Sequence, residues 1–161
     1  MGFEGGQTPL RQRLPKVGAY DPFARELVYV NLDRLSKWIE DGRIDASKLI
    51  TMKTLRDTGL ARRNVRDGVW LRDRGHDAFA HTIDIEVTQV DPEAKRAIEA
   101  RGGTARSVYY NALGLRALLK PHKFPPALFP RPARPPPKLR PHFEYVGRLP
   151  EPTEPLPSDE D

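Results

Sequence analysis

Cysteine is absent from the 161 residues, so no disulfide framework, thiolate nucleophile or cysteine-bound zinc can be built. Long apolar runs are missing too: the longest are a few residues, far short of the roughly 20 that span a bilayer. The histidines, His76, His81, His122 and His142, are scattered without metal-site spacing. His81, Asp84 and Glu86 come nearest to a ligand set, but residues three apart on a strand point to opposite faces. No Ser-His-Asp order or paired carboxylates define a reaction centre, and the expectation is a chain that is not an enzyme. No internal repeat of solenoid length is present.

What the sequence does have is positive charge and proline. Lys and Arg total 27 against 22 Asp and Glu, a net charge of +5 with a pI near 9.6. That balance favours a polyanionic partner, although solubility alone also accounts for it. Thirteen of the 17 prolines lie in residues 121–161, where so many missing N–H donors rule out a helix or a central strand. The length suits one core plus tails. We therefore divide the chain into an extended glycine-rich basic arm at 1–27, a globular α/β domain at 28–120 and a proline-rich extension with an acidic end at 121–161.

The middle segment carries the periodic hydrophobic signal. "VYVNLDRLSKWIEDGRID" opens with a short β-type run and then sets Leu32, Leu35, Trp38 and Ile39 at helical spacing, with Asn31 or Asp33 as the cap and Gly42 as the stop. A second short helix is predicted around 51–58, ended by Gly59, and "GVWL" reads as a strand. "HTIDIEVTQV" alternates Ile83, Ile85 and Val87 against Asp84, Glu86 and Thr88, the period of a half-buried strand. After it, Asp91 suits an N-cap, Pro92 the first helical position and Glu93 the positive end of the helix dipole, while Gly102 closes the helix before the strand "ARSVYY". Strand, helix and strand make a closing β-α-β unit, so the fold class is α/β.

The arm, residues 2–16, offers almost nothing to bury. Gly2, Gly5 and Gly6 permit positive φ and close backbone approach, while Arg11, Arg13 and Lys16 on a chain rising about 3.3 Å per residue can reach successive phosphates. Phe3 can stack on an unpaired base or plug an apolar pocket, and Gln7 can bond base edges or 2′-hydroxyls. Glu4 can accept from base amino groups, orient an arginine or sit near a magnesium ion. Gly5-Gly6-Gln7 also matches the tripeptide that peptide-release factors present to peptidyl-tRNA, but three residues with no supporting domain are a weak signal. No strand precedes these glycines and no Lys-Ser or Lys-Thr follows them, so they are not a P-loop.

A second basic cluster has seven cations between residues 53 and 74 against three aspartates. Arg62, Arg63 and Arg66 fall between helix and strand signals, where a loop would free their guanidinium groups for phosphate, and Arg72 and Arg74 extend that face. In the tail, residues 121–148 hold six cations and one acid, interleaved with Phe124, Phe129, Phe143 and Tyr145. This composition suits a strap lying on RNA or a neighbouring protein. Past residue 149 the five charges are all acidic.

The opening segment resembles the bacterial-type family of large-subunit ribosomal protein fifteen, most closely its mitochondrial members. The family hallmark stands here as Gly2, Phe3, Glu4, Gly5, Gly6 and Gln7, then Pro9, Leu10, Arg13, Pro15, Lys16 and Gly18. The "VNLDRLSKWIEDGRID" helix and the strand, helix, "RGG", strand closure are similar to the family as well, so the resemblance covers about residues 2–120. It implies a structural constituent of the large ribosomal subunit in the mitochondrial matrix, with the arm threaded into ribosomal RNA and the domain near the surface. The implied partners are large-subunit rRNA and neighbouring large-subunit ribosomal proteins, with no membrane, no small-molecule substrate and no cofactor beyond magnesium ions of the RNA. Family members carry a longer basic arm ahead of the motif, where this sequence has Met1, and an aromatic after the Lys-x-Gly step, where it has Ala19-Tyr20. A bacterial or plastid member of the same family, and an interaction scaffold acting through the proline-rich tail, are the alternatives.

Overall fold

The computed structural model describes residues 3–18, 21 and 24–150; Gly2, the Ala19-Tyr20 pair and the acidic end at 151–161 lie outside them. Within the arm, Leu10–Arg13 form one helical turn, α1, where the sequence reading has extended chain. The order then runs β1 (Val28–Asn31), α2 (Leu32–Glu40), β2 (Ile50–Thr51), α3 (Met52–Asp57), β3 (Val69–Arg72), β4 (Asp84–Val87), β5 (Gln89–Val90), α4 (Pro92–Ala100), β6 (Thr104–Tyr109), α5 (Ala112–Leu119) and β7 (Tyr145–Val146). Among the described residues every strand pairing is parallel, in two sheets ordered β1-β3-β5 and β2-β4-β6-β7. The fold is α/β, with β4, α4 and β6 forming the β-α-β closure.

Helix α2 turns Leu32 and Leu35 fully into the core, with Trp38 and Ile39 packed at its margin. Its cap position is Asn31, but no side chain caps it. Helix α3 is capped by Thr51, whose Oγ1 accepts from the Thr54 N–H at 3.4 Å. At α4 the reading of Asp91 as a side-chain cap is corrected: the residue occupies the cap position with Pro92 after it, but makes no cap bond. Its carboxylate instead accepts from Trp70 Nε1 at 2.7 Å and lies 3.7 Å from Arg72 Nε. Two charge-stabilising partners from β3 outbid the local amides for the same oxygens.

The long strand expected over "HTIDIEVTQV" is two strands in different sheets. Thr88 breaks it, donating its N–H to the Val69 carbonyl at 3.1 Å as the chain passes from one sheet to the other. Ile83, Ile85 and Val87 are buried as the alternation required, but Glu86 and Thr88, expected on the open face, are only 5% and 8% exposed. On that second face the Thr88 hydroxyl donates to Met52 Sδ at 3.2 Å. Arg106, opposite Glu86 in the β4–β6 register, brings Nη1 to 4.0 Å from its carboxylate and stacks 5.3 Å from the Tyr145 ring.

Helix α5, which the sequence reading did not separate from its surroundings, is capped by Asn111, whose Oδ1 accepts from the Gly114 N–H at 2.7 Å. It buries Leu115, Ala117, Leu118 and Leu119. The tail then makes short 3-10 turns and returns to the domain at β7, which pairs with β6. Residues 142–149 are the longest proline-free stretch of the tail, so the edge strand forms where backbone donors are available. The Glu144 N–H donates to Ser107 O at 3.0 Å and the Gly147 N–H to Tyr109 O at 2.9 Å. Phe143 sits edge-on to Tyr109, and Lys95 pairs with Glu144, which raises the lysine pKa. Contacts therefore cross residue 120.

Two predictions follow from this packing. A Cβ on Gly103 would lie 2.2 Å from the Ile83 carbonyl oxygen and 2.9 Å from its nitrogen, both backbone atoms of the strand it must join. Gly103→Ala is expected to cost about 1–3 kcal/mol, read as a lower urea midpoint at unchanged slope. Burial, with the Glu86 charge adding to it, pushes the Tyr110 phenol from its usual 10 up to about 12. The unfolded phenol ionises first, so stability present below pH 10 should be lost as pH rises toward about 12. An absorbance titration should show a late-ionising phase, and Tyr110→Phe should remove it.

Candidate nucleic-acid interface

Every described residue of 3–18 is exposed except half-buried Pro9. Gly5 and Gly6 take φ of 64° and 79°, with nothing within 4 Å of a Cβ built on either. They reverse the chain so that the Gln7 N–H donates to Glu4 O at 3.2 Å. The Glu4 carboxylate then organises the arm: Oε1 accepts from the Leu10 N–H at 3.0 Å and Oε2 from Arg13 Nη2 at 2.7 Å. Arg13 Nε donates to Thr8 O at 2.6 Å. Of the roles open to Glu4, orienting an arginine is the one this geometry contains. Arg11 and Lys16 have no carboxylate partner among the described residues.

Phe3 is 90% exposed and Val17 88%, with Leu10 and Leu14 also open to water. Four apolar side chains around three cations have no apolar home within the described chain, which is the surface character of a segment ordered by something else.

The structure separates the five arginines of the second cluster. Arg72 and Arg74 lie at the end of β3, where Arg72 faces Asp91 and stacks over Tyr29 and Trp70 at 5.6 and 5.3 Å, and Arg74 lies 3.5 Å from Asp33. Arg66 pairs with Glu26 at 3.0 Å. Such exposed pairs are worth ~0–1 kcal/mol, so phosphate competes with them readily. Arg62 and Arg63, on the loop between α3 and β3, are exposed with no ion-pair partner among the described residues.

Beside that loop stand cations the sequence reading did not assemble. Arg116 and Lys120 are four residues apart at the end of α5, and Lys123 closes the turn after it. Lys120 and Lys123 line one hollow with Arg62 and Arg63 and an adjoining one with Arg66 and Arg116. The i, i+4 spacing in "RALLKPHK" was the available signal, hidden because the helix carrying it went unread.

The histidine and acidic residues weighed as ligands are apart: His81 Nε2 lies 3.4 Å from Glu40, Asp84 accepts from Thr104, and Glu86 faces Arg106. Among the described residues no group of three or more such side chains is placed to hold a metal, and no helix is long and apolar enough to cross a membrane.

Fold and surface together define a small basic α/β domain with an exposed N-terminal arm. A profile of the family described as ribosomal proteins 50S-L15, 50S-L18e and 60S-L27A matches residues 29–106, from β1 into β6. The large ribosomal subunit protein uL15m of Schizosaccharomyces pombe is 40% identical over 123 residues, 76% of this chain and 48% of that protein. The uL15 proteins of Paramagnetospirillum magneticum and Methylobacterium radiotolerans are 44% and 36% identical over 64% and 71% of this chain, covering 63% and 67% of their own lengths. The chain belongs to this ribosomal protein family. It spans less than half the length of the uL15m proteins of S. pombe and Neurospora crassa, at 48% and 38%.

The geometry of the arm gives a direct test. Glu4→Ala removes both the amide acceptor and the Arg13 partner of α1. Trypsin should then cut after Arg11 and Arg13 about 2- to 5-fold faster, the equivalent of ~0.5–1 kcal/mol for an exposed pair.

Proposed function

We propose that the chain is a structural constituent of the large ribosomal subunit, of mitochondrial type, that binds and stabilises large-subunit rRNA and so supports translation. The observation that carries this reading is the match to the uL15m protein over 76% of the chain, combined with an arm whose apolar and cationic side chains are open together. Gly2, Phe3, Glu4, Gly5, Gly6, Gln7, Arg11, Arg13 and Lys16 are the arm's contacts. Arg62, Arg63, Arg66, Arg72 and Arg74 are those of the domain. Magnesium ions enter as part of the RNA, and the chain carries no cofactor and performs no reaction of its own. Neighbouring ribosomal proteins are met by the proline-rich stretch before β7, where Leu128 is 76% exposed. The mitochondrial matrix is the compartment this reading assigns, on the similarity to the uL15m proteins of S. pombe and N. crassa.

Gradient sedimentation of the tagged chain from its native lysate tests the reading. It should co-migrate with large subunits of the organelle, and migration with free protein overturns the proposal. Under competition with the wild type, Arg13→Ala should enter subunits about tenfold less, the effect of losing one charge-assisted hydrogen bond of ~1.5 kcal/mol. Its melting temperature should be unchanged, because residues 3–18 bury nothing in the core.

A further inference from the structure

We propose that the hollow between the α3–β3 loop and the end of α5 is a seat for the sugar-phosphate backbone of RNA, holding consecutive phosphates without reading bases. This rests on the reading that the chain works on RNA and names where in the domain the contact is made.

The hollow, of about 620 Å³, is lined by Arg56, Arg62, Arg63, Lys120 and Lys123, and by one carboxylate, Asp57. That carboxylate is already committed: Asp57 Oδ1 accepts from Arg56 Nε at 3.0 Å and Nη2 at 2.6 Å. Arg62, Arg63, Lys120 and Lys123 have no carboxylate within ion-pair distance among the described residues. Arg56 is largely buried, and its Nη1 is buried without a hydrogen-bond acceptor. Five cations that line one hollow against a single carboxylate, itself already paired, repel one another. An anion in the hollow relieves that repulsion.

The shape indicates which anion. Lys120 and Lys123 are shared with a second hollow of about 270 Å³, to which Arg66 and Arg116 contribute. Apart from His122 at the first hollow, no ring lines either one, and the second is otherwise floored by Val65, Ala112, Leu115 and Leu119. A nucleotide site needs a stacking platform or polar edges for the base. Two joined, ring-poor, cation-walled hollows match a chain of phosphates running past, which positions without conveying sequence. Lysines at the junction can each serve phosphates on either side, because an ammonium on a flexible stem acts as a mobile point charge.

The full chain, bound to a labelled mixed-sequence single-stranded RNA and followed by anisotropy across salt, tests the seat. Lys120→Ala/Lys123→Ala removes two exposed cations, so folding should be intact by circular dichroism. Affinity should fall about tenfold, and the salt slope should shallow by about 0.7 for each phosphate lost. Lys138→Ala/Arg140→Ala, which removes exposed tail cations outside both hollows, should change affinity by less than about twofold. The loss should be the same for RNAs of different base composition. Inorganic phosphate should displace the RNA only at concentrations where general screening operates.

A lysine-pair variant that binds like wild type, or no worse than the tail control, overturns the seat. So does a loss confined to one RNA sequence, and so does inorganic phosphate that saturates the hollow at low concentration, which would mark a free-anion site. If these failures occur while the wild-type chain binds RNA and enters subunits, the seat alone falls. If the wild-type chain binds no RNA and enters no subunit, the functional reading beneath it falls as well.

Discussion

Parallel pairing between β4 and β6 is the interaction on which the remainder of the domain depends. Parallel strands need a crossover, and α4 supplies it while burying Ala94 and Ile98. The pairing lets β2 dock on one side and β7 on the other, and it sets Glu86 against Arg106 across the ladder. Its entry point has no spare room: Gly102, at φ 81°, ends α4, and Gly103 passes against the backbone of Ile83. A side chain at that crossing would push apart the two strands that hold the sheet together. The glycine pair of that turn is thus a requirement of backbone conformation and packing.

The domain and the arm are stabilised by opposite means. The domain hides its one deeply placed carboxylate behind Arg106 and Tyr145 and closes over apolar side chains. The arm is held by a single acid, Glu4, which gathers an amide and a guanidinium and leaves the apolar side chains outside. Pairs this exposed are weak enough to be exchanged for a phosphate. The same logic applies to Arg66 and Arg74, each held by one surface carboxylate. Arg62 and Arg63 have no carboxylate partner among the described residues.

Much of this was legible in the sequence, for identifiable reasons. Leu32, Leu35 and Trp38 mark α2, and Pro92 with Gly102 brackets α4, because helix boundaries and apolar spacing are local properties. Helix α5 was not legible, because "ALGLRALL" is apolar on several sides and buried on several sides, and so presents no contrast between faces. The outward assignment of Glu86 and Thr88 fails because nothing local says that Arg106 and Met52, distant in the sequence, will meet them. Asp91 has the local signature of a cap, but its tryptophan and arginine partners come from β3, about twenty residues upstream. The arm's cations could be named from spacing alone, whereas Arg116, Lys120 and Lys123 joined Arg62 and Arg63 only once α5 was folded beside the α3–β3 loop.

The position of β7 at the outer edge of β6 bears on how the chain is made. A ribosome delivers residues 104–109 well before residues 145–146, so during synthesis the flank of β6 waits with unpaired amides and carbonyls. Chains arrested inside the proline-rich stretch would retain that bare flank, a template for pairing with a neighbouring nascent chain. The last of the described strands therefore covers the end of that flank, at residues 108 and 109, only once residue 146 has been made.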